Sequence, residues 1–254
     1  MKNSAKRVIL KNKAKNVMAG KYYQSVMMLL FFLVIILFIS RFATALNTFL
    51  LRNLGQLFLS NQGSVAMLVI DCLITFLFSV FAGVLQIGVS LFFLNGATGR
   101  PFYVSDLLYG YFHNFRRSLS LSFVTSLLTF VGFAPLNLFL DYLGLTASDS
   151  EILILALVQV ALLFVYVPLS LALSQTYFLA LDFPELSAAT VLKQSIKIMK
   201  GKKRQLFTLQ LSFLPLFLLG FLSFGLGFLW IIPYQKMTLS LFYLEMNRYD
   251  QSMS

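Results

Sequence analysis

One histidine and one cysteine stand in 254 residues, with only 9 acidic side chains. A triad with a second histidine, a histidine-based metal site and a disulfide framework are excluded at once, because His113 and Cys72 have no second member of their kind. Charge is scarce as well. Charged residues make up 11% of the chain and hydrophobic ones 59%, whereas a soluble domain carries about 25% charged residues to solvate its surface. No strand-like alternation in segments of about ten residues is present, which argues against a transmembrane β-barrel.

What is present is apolar sequence in long blocks. Residues 25–40 read SVMMLLFFLVIILFIS without a charge. With its flanks this block supplies the roughly 20 residues that a helix needs to cross about 30 Å of hydrocarbon. Comparable blocks lie near residues 65–94, 118–140, 152–180 and 206–246. The expected fold is all-α: a polytopic bundle of transmembrane helices in one integral membrane domain over residues 1–254. The first span follows basic residues and precedes Ala43-Thr44-Ala45, the small-x-small form of a signal cleavage site. Its apolar stretch is longer than a signal peptide's and Arg41 precedes the site, so the reading is an uncleaved span.

The net charge of +11 is distributed as topology, not as a nucleic-acid footprint. Sixteen of the 20 basic residues fall before the first span, between the second and third, or between the fourth and fifth. The last of these clusters is Lys193, Lys197, Lys200, Lys202, Lys203 and Arg204. The loop at 47–64 has only Arg52, and the loop at 141–151 is acidic. Positive loops are retained in the cytoplasm, which puts the N-terminus inside, in the cytoplasmic membrane.

The last 40 residues admit two readings. A long fifth span ends at Pro233-Tyr234, or Ser223-Phe224-Gly225-Leu226-Gly227 is a turn between two spans. An internal repeat favours the second. Residues 187–201 form an amphipathic helix, with Ala188, Val191, Leu192, Ser195, Ile196, Ile198 and Met199 opposite Lys193, Lys197 and Lys200. Residues 105–117 repeat the pattern, with Leu107, Leu108, Tyr111, Phe112 and Phe115 opposite Asp106, His113 and Arg117. Each follows a proline (Pro184, Pro101) and leads into a span opening Leu-Ser-Phe, at 121–123 and 211–213. Segment 4–20 holds the same place before the first span. Three copies of one unit, at 4–94, 101–180 and 184–248, each an interfacial helix, a span and a return span, give six spans with both termini inside. Five spans remain the alternative.

Several strings resemble a family of bacterial integral membrane proteins, the domain-of-unknown-function 975 family. They are Leu107-Leu108-Tyr109-Gly110-Tyr111-Phe112 with Phe115-Arg116, Ser195 to Gly201, Leu211-Ser212-Phe213, Gly225 to Trp230, Pro233-Tyr234, Thr238 and Phe242-Tyr243. Where members often have Ile-Gly-Trp after Leu-Ser-Phe, this chain has Leu214-Pro215-Leu216. The resemblance implies a membrane location and a shared topology, and no activity.

No catalytic constellation or cofactor motif is visible, so a non-enzymatic protein is expected. Gly225-x-Gly227 lacks the strand and third glycine of a dinucleotide loop. Ser79 and Gly83 are spaced for close helix contact. Polar residues inside the spans are the remaining candidates: Asp71, Gln159 and Lys236 in an outer layer, Gln86, Gln175 and Gln210 in an inner one. An Asp71–Lys236 ion pair is expected, since equal counting from each span's outer end puts them at similar depth. Two functions are compatible. One is a scaffold, assembly or sensing protein acting through its basic face on anionic lipid. The other is a small-solute transporter or channel, to which Gly132 and Pro135, and Pro215 and Gly220, contribute helix breaks.

Overall fold

The computed structural model describes residues 2–54, 61–138 and 148–251. The expected loops at 47–64 and 141–151 lie partly outside these, and so does Ser254. The described residues form twelve α-helices and one 3-10 turn, with no strand. In order they are α1 Lys2–Met18, α2 Tyr22–Leu54, α3 Asn61–Gly83, α4 Leu85–Ala97, a 3-10 turn Val104–Leu108, α5 Tyr109–Phe112, α6 Phe115–Leu138, α7 Asp149–Leu173, α8 Thr176–Asp182, α9 Ala188–Ile198, α10 Lys203–Leu211, α11 Leu214–Leu222 and α12 Phe228–Gln251.

Five stretches are long and apolar enough to cross a membrane: Tyr22–Leu50, Val69–Ala97, Phe115–Leu136, Asp149–Asp182 and Lys203–Leu222. The protein is an all-α membrane bundle. After the fifth stretch the chain reverses. Phe224 and Gly225 take φ of 53° and 90°, and Gly225 N donates to Gly220 O at 3.0 Å, a helix-ending bond that closes the turn. The 24-residue α12 then packs back along α11 and between α1, α2 and α4. It is less apolar than the other five because Lys236, Glu245 and Arg248 lie within it.

Three short helices precede the spans. α9 begins at Ser187, whose Oγ accepts from Thr190 N at 3.3 Å, an N-cap that satisfies an otherwise orphaned donor. It buries Val191, Ser195 and Met199 and exposes Lys193, Lys197 and Lys200. The helix expected over 105–117 is shorter than its pattern suggests. It is a 3-10 turn and one α turn, ending before Asn114 at φ 49°; Phe115 and Arg117 belong to α6. The junctions at Gly20 (φ 77°) and Gly201 (φ 79°) match it. At all three, a residue in the left-handed region turns the chain from short helix to span, a role open to glycine and, next best, asparagine.

Each short helix packs on other helices of the bundle. The 104–112 segment lies on α4, α9 on α7 and α8, and α1 on α12. The last contact joins the two ends of the chain, through the Lys6–Glu245 ion pair at 2.8 Å and the buried Leu10, Ala14 and Met18. The return helices α4, α8 and α12 meet in the interior, where Phe92, Phe93, Phe178, Leu179, Phe242 and Tyr243 are buried. Val89-Ser90-Leu91-Phe92-Phe93-Leu94 in α4 and Leu239-Ser240-Leu241-Phe242-Tyr243-Leu244 in α12 are the same string with conservative changes, which fits their common position.

Candidate functional site

Three of the crossing segments are broken partway. Between α3 and α4, Val84 N bonds Phe81 O and Ile87 N bonds Val84 O, both at 3.2 Å. Ser174 N bonds Leu171 O at 3.4 Å between α7 and α8, and Phe213 N bonds Gln210 O at 3.0 Å between α10 and α11. These are i→i−3 bonds, and each tightening leaves carbonyls without their i+4 donor. Side chains from the short helices supply the missing donors. Tyr111 OH donates to Phe81 O at 2.6 Å, Ser195 Oγ to Ala172 O at 2.8 Å, and Lys11 Nζ to Ser212 O at 2.7 Å. Ser122 Oγ also donates to Val80 O at 2.5 Å. Lys11 lies 4.1 Å from the centre of the Phe213 ring, and burial together with the nearby Arg7 lowers its ammonium below the usual lysine range.

The broken segments surround a cavity of about 780 Å³. Its walls come from α2, α3, α4, α6, α7, α8, α10 and α12, and from Ser174 and Gln175 between α7 and α8. Along α3 and α4 it runs from Thr75 to Phe93, roughly 27 Å at 1.5 Å per residue. The lining includes apolar side chains such as Leu128, Phe130 and Phe133, and also Gln86, Gln175, Gln210 and Lys236. Gln175 is 1% exposed; its Nε2 donates to Ser174 Oγ at 2.9 Å while Oε1 has no partner. Gln86 and Gln210 have no side-chain partner among the described residues, and no carboxylate there reaches the Lys236 ammonium. Lys236 lies eight residues into α12, about 12 Å from the turn at 223–227. An ammonium buried in hydrocarbon costs about 2.5–3.5 kcal/mol even on insertion scales, and Lys236 has no counter-ion among the described residues.

The structure thus places the three inner-layer glutamines on one cavity with Lys236 and separates Asp71 and Gln159 from them. The expected Asp71–Lys236 pair does not form. Asp71 Oδ1 instead accepts from Asn47 Nδ2 of α2. The reason is length. α2 has 33 residues, whereas Lys203–Leu222 has 20, so the α2–α3 hairpin projects further and the outer ends are not level. Measured from the basic ends, Asn47 stands roughly 37 Å up and Lys236 about 18 Å.

Gln159 does a different task. Its Nε2 donates to Gly132 O at 2.8 Å and its Oε1 accepts from Leu136 N at 3.2 Å. Those are the two groups an undistorted helix would join beside Pro135, and the carboxamide splices the ladder there. Ser79 and Gly83 do mark close contact, for a Cβ on Gly83 would sit 2.2 Å from Ser122 Oγ of α6. In the basic cluster, Lys193, Lys197, Lys200 and Arg204 are exposed and Lys202 and Lys203 half-buried. Sequence reasoning missed Arg117, whose guanidinium donates to Ala180 O, Phe183 O and Pro184 O at 2.7–3.1 Å and closes the C-terminal end of α8. It also missed the hydroxyls that line the cavity, because serine and threonine are unremarkable in membrane helices.

The fold and cavity define a multi-pass α-helical membrane protein with broken helices around a cavity that is mainly apolar and carries a few polar side chains. The chain belongs to the family described as protein of unknown function (DUF975), which matches residues 1–250. No curated protein and no solved structure matches it.

Proposed function

We propose that this protein is a non-enzymatic carrier or channel for a small solute, resident in the cytoplasmic membrane with its N-terminus and basic loops in the cytoplasm. The observation that carries the reading is the convergence of Gln86, Gln175, Gln210 and Lys236 on a cavity of about 780 Å³. Interhelical hydrogen bonding alone does not account for it, because such side chains would be satisfied by one another. Broken helices around a site near mid-membrane are the usual construction of solute carriers. Flux of candidate solutes into liposomes holding the purified protein tests it. Flux should exceed that of empty liposomes and fall when Thr129→Trp fills the cavity; equal flux in all three contradicts the reading.

A second reading, a scaffold or sensor acting on anionic lipid, is favoured by the exposed Lys193, Lys197, Lys200 and Arg204, each contributing about 1 kcal/mol near an anionic surface. Replacing the lysines with glutamine should then weaken association with anionic vesicles while leaving flux unchanged.

A further inference from the structure

We infer that the cavity takes a monoanionic amphiphile, whose carboxylate or phosphate group meets the Lys236 ammonium and the carboxamides of Gln86 and Gln210. The inference rests on the solute-binding reading above and names its ligand class.

Three observations point the same way. First, Lys236 lines the cavity with no counter-charge in reach among the described residues. A cation in a low-dielectric interior acquires a partner or loses its charge, and the described residues offer no acid there. Second, Gln86 and Gln210 line the same cavity with no side-chain partner among the described residues. A carboxamide presents two N–H donors, so the two residues and the lysine together supply the donor set for an oxyanion. The hydroxyls of Ser90 and Ser240 are already committed to Gln86 O and Lys236 O at 2.8 and 3.2 Å, so neither competes with those three side chains. Third, the remainder of the lining includes Leu128, Phe130 and Phe133, an apolar surface suited to a hydrocarbon or aromatic body. A small inorganic anion would leave that surface uncovered. An acid with an apolar body covers both.

The ligand comes from one of two sources, a free organic acid or a membrane lipid, and the test separates them. Purified full-length protein in neutral detergent is titrated with benzoate and oleate, with their uncharged counterparts benzyl alcohol and oleyl alcohol, and with phosphatidylglycerol against phosphatidylcholine. Binding is read calorimetrically and as a shift in melting temperature. At least one anion should bind and its neutral counterpart should not. Benzoate or oleate binding identifies a free acid as source; binding by phosphatidylglycerol alone identifies lipid. Lys236→Gln should weaken binding by ~10- to 100-fold, the size of a lost charge-assisted hydrogen bond, and Lys236→Arg should retain most of it. Gln86→Leu and Gln210→Leu should each weaken it several-fold, and they decide the matter if Lys236→Gln fails to fold. Equal binding of anions and neutral counterparts, or full binding by Lys236→Gln, overturns the inference. If neutral ligands bind and Thr129→Trp excludes them, the solute cavity stands and the anionic class falls. If no ligand binds, or if Thr129→Trp leaves all binding unchanged, both fall.

Discussion

Two glutamines in the apolar part of the bundle play opposite parts. Gln159 spends both ends of its carboxamide on the backbone beside Pro135, whereas Gln86 keeps its side chain for the cavity. Gln159→Leu should therefore lower thermal stability by about 1–3 kcal/mol, the cost of orphaned backbone groups, and leave ligand binding untouched; melting in detergent and a binding titration check both halves. Asp71 and Lys236 offer a sharper case. Because Asp71 meets Asn47 and Lys236 lies roughly 20 Å lower, the losses from Asp71→Asn and Lys236→Gln should add to within about 0.5 kcal/mol in a double-mutant cycle. The polar residues themselves were legible in the sequence. Their grouping was not, since depth was counted from span ends assumed level, and a 33-residue α2 against a 20-residue fifth span breaks that assumption.

Among the elements, the short helices matter more than their size suggests. They donate to the carbonyls freed at the helix breaks through Lys11, Tyr111 and Ser195, which ties each break to a separate short helix. Contact is closest where the 104–112 segment crosses α4. A Cβ on Gly88 would stand 2.0 Å from Leu107 O, a backbone atom that cannot turn aside. Gly88→Ala should cost more than the ~1–3 kcal/mol of ordinary overpacking. Gly96→Ala, whose Cβ would meet the flexible end of Met237 at 2.8 Å, should cost less; comparing the two melting temperatures tests the geometry. The helix at 188–198 was readable because capping and amphipathic period agree there. The one at 104–112 was overextended, because Phe115 and Arg117 continue the period across Asn114 while its φ of 49° ends the helix.

At the scale of the whole molecule, α1 packs on α12 and ties the first described helix to the last. The turn at 223–227 and the packing of α12 against α1, α2 and α4 lead the chain back toward its beginning. A C-terminal fusion that is active only outside the cytoplasm should accordingly stay silent, and activity would favour five crossings. The cavity was not legible as a cavity. Its walls are drawn from eight helices and one break, and no string in the sequence declares that these faces converge. Its accessibility is the central claim, and thiol labelling measures it directly. With Cys72 replaced by serine, Ser90→Cys places one thiol on the wall. A small water-soluble thiol reagent should modify it in the folded protein, and Thr129→Trp should slow that reaction at least tenfold. A thiol at position 90 that stays inert until the protein is denatured would show a closed, packed interior and contradict the account.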